Sequence, residues 1–353
     1  MPGRQRFANR REFLAATLAG TAAVALRGSA TASEAAPPFP TYEKAQIAIT
    51  LDLEMARNFP NWGDTHWDYE KGNLNQAAKD YTVAACNRVK ARGGRIHTFV
   101  VGQVFEQENV EWLKQIAADG HPIGNHTYDH IYLLAHSPAE LQYRFSRAPW
   151  LIGGRELPDV IRENIALTNI ALKERIGVKT NGFRTPGGFA TGLENREDIQ
   201  NILLGLGFDW VSCRYPAHAG MEDLYGSGRK PSQLAFDEIL RAQADSQPLR
   251  YSTGLIDVPM SPVSDIGAFR TGRWELESFL EAVEMGVNWA IENKAAFDFL
   301  AHPSCLGVVD GNFRAIDLIC DLVAKSPEKA ELVTLDAIVA KAKPQLSPER
   351  EPS

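Results

Sequence analysis

From Gln46 onward the chain alternates short apolar runs rich in β-branched residues with longer stretches of helical period. No other feature restricts the fold as strongly, because strand and helix alternating over about seven units call for a parallel sheet, and a closed or nearly closed barrel uses that many units best. The spacing predicts strands at 46–53, 95–101, 122–125, 182–184, 208–212, 255–259, 297–301 and 332–335. Helices are predicted at 74–92, 110–118, 158–176, 196–206, 233–242, 275–293 and 313–324. The expected fold class is therefore α/β, a distorted (β/α) barrel of about seven parallel strands. A length of 353 residues suits either one such barrel or two domains. The chemistry-bearing residues below run from Asp52 to His302, which favours one barrel over 46–342 with a tail at 343–353.

Composition narrows the function classes. With 44% hydrophobic and 23% charged residues the chain is ordinary globular material. A net charge of -7 lacks the basic excess that a phosphate backbone demands, so nucleic acid is excluded as a partner. The 4 cysteines form no C-x-x-C pair and are expected to be buried thiols. Residues 1–32 read as an export signal: Arg4, Arg6, Arg10 and Arg11 precede an Ala-rich apolar run, Phe13 to Leu26, too short for a stable membrane span. Asn9-Arg10-Arg11-Glu12-Phe13-Leu14 resembles the twin-arginine consensus, and Ala30-Thr31-Ala32 a small-residue cleavage site. The expectation is export by the twin-arginine machinery to the periplasm or exterior of a bacterium, with a Pro-containing linker at 33–45. Losing that signal takes five basic residues and one acidic residue with it, leaving a net charge near -11.

Four fragments carry the chemistry. Thr50-Leu51-Asp52-Leu53-Glu54 ends the first strand, and period two puts Asp52 and Glu54 on one side. They are either two solvated acids at a strand end or a pair that needs a cation or a proton between them. His126-Thr127-Tyr128-Asp129-His130 spaces two imidazoles one helical turn apart, so that both could meet one cation, although H-x-x-x-H also arises by chance. Arg184-Thr185-Pro186-Gly187-Gly188 is either an arginine fork oriented on a carboxylate or a plain turn. Leu300-Ala301-His302 puts a histidine at the C-terminal edge of a late strand, as a catalytic group or as a satisfied histidine.

In content and order these fragments resemble the motifs of the polysaccharide deacetylase family, carbohydrate esterase family 4 with the NodB-homology fold, across about residues 46–340. The resemblance implies a NodB-like barrel and a divalent metal ion, usually Zn2+, held by His126 and His130. It implies Asp52 as general base, Arg184 as the residue that holds Asp52, His302 as general acid, and Leu300 and Pro186 lining the substrate pocket. Where the family usually has a second aspartate this chain has Leu53, so Glu54 is the candidate third ligand, as in the acid-x-acid version of that motif. Asp209-Trp210 matches the family's fourth motif only in part, and packing is the default for Trp210. Trp62 and Trp67, on the stretch after the first motif, are candidates for stacking on sugar rings. The implied function is an exported metal-dependent hydrolase that removes N-acetyl groups, or O-acetyl esters, from a glycan. Two alternatives remain: an allantoinase-like amidohydrolase acting on a cyclic amide or ureide, and an inactive carbohydrate-binding protein.

Overall fold

The computed structural model describes residues 38–56, 70–180, 182–217 and 230–346. A single sheet organises them. Its strands are β1 (Ala45–Leu53), β2 (Ile96–Val100), β3 (Ile123–Asn125), β4 (Gly182–Phe189), β5 (Trp210–Arg214), β6 (Leu249–Arg250), β7 (Ile256–Asp257), β8 (Ala296–Ala301) and β9 (Ala330–Val333). They run in the order β6-β7-β5-β4-β3-β2-β1-β8, with every neighbour parallel except the β6–β7 pair. All nine residues of β1 are buried, as in a parallel strand covered on both faces. One edge of β1 takes β8. The other takes β9 against Ala45–Ala48 and β2 against Ile49–Leu53.

Around the sheet lie α1 (Gln76–Lys90), α2 (Glu111–Ala118), α3 (Leu157–Ile176), α4 (Glu197–Gly205), α5 (Gln233–Ala242), α6 (Leu276–Asn293), α7 (Arg314–Lys325) and α8 (Leu335–Ala342). Local signals set their ends. Asn75 caps α1 through the Ala78 N–H, and Gly177, at φ 72, terminates α3. The last predicted strand ends earlier than the β-branched run suggests, because Thr334 caps α8 and Leu335, Ile338, Val339 and Ala342 turn inward at helical spacing. These α8 residues pack with Ala48, Trp210 and Ile256 beneath the sheet. Trp210 is wholly buried, and its Nε1–H donates to Asp336, 2.9 Å.

The sheet is a curled half-barrel rather than a fully laddered one. Between β7 and β8 the strand ladder stops, and a side-chain amide bridges instead. Gln247 donates to the Ala296 carbonyl (3.0 Å) and accepts the Ala296 N–H (2.9 Å), while the Ser261 N–H reaches the Asp298 carbonyl (3.1 Å). Among the described residues, no helix is long and apolar enough to cross a membrane. The four cysteines are buried free thiols.

The Gln247 bridge gives a stability prediction. Gln247→Leu retains the bulk but orphans the Ala296 N–H and C=O, and should cost about 2 kcal/mol or more in urea unfolding. An unchanged urea midpoint would show that the seam closes by other means.

Candidate active site

The C-terminal ends of β1, β3, β4 and β8 converge on one cavity of about 240 Å³. Period two explains what β1 brings there. Leu51 and Leu53 face outward into the large apolar cluster, whereas Asp52 and Glu54 line the cavity and are 4% and 7% exposed. The leucine at 53 therefore faces the apolar cluster, and the second acid reaches the interior one residue later.

The segment 126–130 is not the helical turn that its spacing suggests. Thr127 and His130 adopt positive φ values of 58° and 57° in a loop. Polar groups outside the loop hold this backbone. Asn164 on α3 accepts the N–H groups of Tyr128 (2.9 Å) and Asp129 (3.0 Å), and Asn125 accepts that of Thr127 (2.8 Å). The two rings meet at 5.0 Å between centroids. His126 Nε2 lies 3.2 Å and His130 Nε2 3.0 Å from the same atom, Glu54 Oε1.

This arrangement is a fit test for a cation. The His126 Nδ1 sits 2.9 Å from the Arg184 carbonyl, which can only accept, so that nitrogen carries a proton. In a neutral imidazole Nε2 then presents a lone pair, and it faces a carboxylate oxygen. Two acceptors 3.2 Å apart need a proton or a cation between them. Glu54, His126 and His130 offer one carboxylate oxygen and two imidazole nitrogens within 4.8 Å of one another, a donor set that suits zinc. A second group, Asp52, Glu54 and His302, overlaps it at Glu54.

Arg184 is fully buried and ties the acids of the interior together. Its Nη1 donates to Thr50 Oγ1 at 2.9 Å and reaches Asp52 Oδ1 at 3.4 Å, and its Nη2 pairs with Asp298. Thr50 closes the loop by donating to Asp298 Oδ1, 2.8 Å. Burial pushes the Asp298 carboxyl above its usual range against the pull of Arg184.

Across the cavity His302 is held by Asp265, an acid that the sequence reading did not place. His302 Nδ1–H donates to Asp265 Oδ1 (2.8 Å), and the other Asp265 oxygen accepts the His302 N–H (2.7 Å) and the Leu306 N–H (3.0 Å). Burial alone lowers the His302 pKa, but Asp265 and then Glu54 override it and push it up to about 10. Its Nε2 therefore carries a proton and points at Glu54 Oε1 (3.5 Å) and Asp52 Oδ2 (3.9 Å). Burial likewise works to raise Glu54, yet Lys71, His130 and His302 hold it well below the carboxylate range. His130 is driven down to about 3, by burial first and then by Lys71.

Leu300 lines the cavity beside His302, with Met260, Tyr215 and Ile266 as further apolar wall. Pro186 is buried, and its neighbours Thr185, Gly187 and Gly188 form the wall in its place. Trp62 and Trp67 lie outside the described residues. The sequence did hold a trace of Asp298, since 298, 300 and 302 alternate inward along one strand and its end. Asp265 caps a short π-helical stretch, Ile266–Thr271, and Lys71 sits on a turn, where no strand or helix period marks them.

A parallel-dominated half-barrel with two acids, two loop histidines and an arginine at its strand ends defines a class, and comparison with known proteins gives that class a name. Residues 67–209, about two fifths of the chain, match the polysaccharide deacetylase family model. The match begins after the divergent Asp52–Glu54 motif. Similar solved structures include a protein of Mycobacterium smegmatis assigned as a polysaccharide deacetylase, at 17% identity and TM-score 0.58, covering 90% of this chain and 98% of that one. Another, assigned likewise from Pseudomonas aeruginosa PAO1, has 14% identity and TM-score 0.57, covering 89% and 96%. Puue allantoinase has 15% identity and TM-score 0.56, covering 93% and 100%. These likenesses carry the fold. No curated protein matches in sequence.

The Asp265–His302 pair predicts a pH profile. If His302 works as an acid, activity falls as pH rises through its pKa. Asp265→Asn removes the main charge that raises that pKa, so the alkaline limb of kcat/KM should move to lower pH by about 1–3 units. An unmoved alkaline limb would separate His302 from the rate.

Proposed function

We propose that this chain is an exported metal-dependent deacetylase that hydrolyses N-acetyl groups on a glycan, with O-acetyl esters as a secondary substrate. The observation that carries the proposal is the convergence of two imidazole nitrogens on one Glu54 oxygen, with Asp52 and a protonated His302 beside it. Glu54, His126 and His130 would hold the ion, with zinc favoured by the donor set. When bound, a divalent ion supplies a Lewis acid for the amide carbonyl and lowers the pKa of a water molecule. Asp52, kept in place by Arg184, takes the proton of the attacking water. His302 gives its Nε2 proton to the departing amine, and Asp265 stabilises the charged imidazole until it does so. Leu300 borders the space for the acetyl methyl.

The assay is acetate release from acetylated chito-oligosaccharides with metal analysis, before and after chelation. We expect about one ion per chain, loss of activity on chelation and recovery with zinc. His126→Ala and Glu54→Ala should each lose the ion. A Glu54→Ala protein that keeps its ion fully would remove Glu54 from the ligand set.

A second reading has its own support. The cavity is small and has an apolar wall of Tyr215, Met260 and Ile266, dimensions that suit a small ring such as a cyclic amide or ureide. Chelator-insensitive hydrolysis of allantoin or a cyclic imide, with no acetate from glycans, would replace the first reading with this one. The inactive-binder reading has less behind it, since base, acid and candidate ligands all meet in one cavity.

Export is part of the proposal. The secreted protein should begin at Ser33 by N-terminal sequencing, and changing both Arg10 and Arg11 to Lys should retain the longer chain in the cytoplasm.

A further inference from the structure

One charged group in the cavity has no part in the hydrolysis described above. Lys71 lies just ahead of α1, and its side chain is fully buried. Its Nζ donates to Glu54 Oε2 and stands 3.3 Å from His130 Nε2. Backbone geometry fixes this placement. The Gly72 N–H donates to the Glu54 carbonyl (2.6 Å), and at φ +81 Gly72 packs against Gln103 so closely that a Cβ would come within 2.3 Å. The turn that carries Lys71 is thus bonded directly to the residue that its ammonium pairs with.

A buried ammonium needs a counter-charge, and Lys71 takes it from Glu54. The ammonium also stands close to the ring nitrogen of His130. Glu54 and His130 are also two of the three residues that would hold a divalent ion. An ammonium and a metal ion sharing one carboxylate and one imidazole repel each other at short range, in a place where water screens little. Resting on the metal-dependent reading above, we propose that Lys71 is an internal counter-cation that competes with the divalent ion for Glu54 and His130, so that metal uptake displaces its ammonium from both. Lys71 thereby keeps the acids of the metal-free site neutralised and sets the affinity for the ion. It is a positioning residue and takes no proton in the reaction.

The experiment compares wild type, Lys71→Met and Lys71→Arg by chelator competition for Zn2+ and by thermal melting with and without zinc. Lys71→Met should bind zinc at least about tenfold more tightly than wild type, because a positive charge is gone from the site. Its metal-free form should melt lower and recover on adding zinc. Lys71→Arg, which keeps the charge, should stay near wild-type affinity. Equal or weaker zinc binding by Lys71→Met would overturn the proposal and leave Lys71 as a support for Glu54 alone. Should Lys71→Met fail to fold without metal, Lys71→Gln keeps a donor toward Glu54 without the charge, and the same comparison decides. If wild type binds no zinc while Lys71→Met does, the competition stands and metal-dependent hydrolysis by the natural chain falls. If both bind alike and acetate release is chelator-sensitive, only the competition falls; if neither binds, both fall.

Discussion

A guanidinium sealed inside the half-barrel organises the site. Arg184 lies over the Phe99 ring at 4.5 Å, pairs with Asp298, bonds Thr50 and reaches Asp52, and its own carbonyl fixes the proton of His126. Taking a charge out of water costs several kcal/mol unless partners replace the lost hydration. Asp298, Thr50 and Asp52 do so here, and each belongs to a strand that leads to a residue of the proposed reaction. Asp52 extends from β1, and Asp298 lies on β8, four residues before His302. The interaction that makes the interior tolerable therefore also sets the relative position of the proposed base, the proposed acid and the candidate ligand.

The charges of the cavity form a nearly balanced set. Asp52, Glu54, Asp265 and Asp298 face Arg184, Lys71 and a protonated His302. Without a divalent ion the balance depends on Lys71 and His302, which is why Glu54 stays ionised despite its burial. The contact between Glu54 Oε1 and His126 Nε2 is the place where a proton or a cation must complete this balance. A net charge of -7 for the whole chain says nothing of this, because the site's acids and cations nearly cancel.

How much of this the sequence disclosed follows from where each residue sits. Residues on long strands were legible: period two along β1 separates Asp52 and Glu54 from Leu51 and Leu53, and the same rule aligns Leu300 with His302. The sheet's parallel character was legible from the alternation of strand and helix, and β1 and β8 are buried along their whole length, as central parallel strands are. Loops were not. His126 and His130 do converge, but through two positive-φ residues held by Asn125 and Asn164, a solution that spacing does not encode. Asp265, at the start of the π-helical stretch 266–271, and Lys71, on a turn, are brought to His302 and Glu54 only by tertiary packing. The seam beside β8 escaped notice because a glutamine side chain replaces a strand there.

The central claim is that Glu54 Oε1 and the two imidazole nitrogens surround a cation. Anomalous diffraction recorded on either side of the zinc absorption edge, from crystals grown with zinc, tests this most directly. The account predicts a single strong peak in contact with Glu54 Oε1, His126 Nε2 and His130 Nε2, at about 2.0–2.2 Å from each. Crystals with no peak at that point, and with Lys71 still paired to Glu54 in excess zinc, would contradict it.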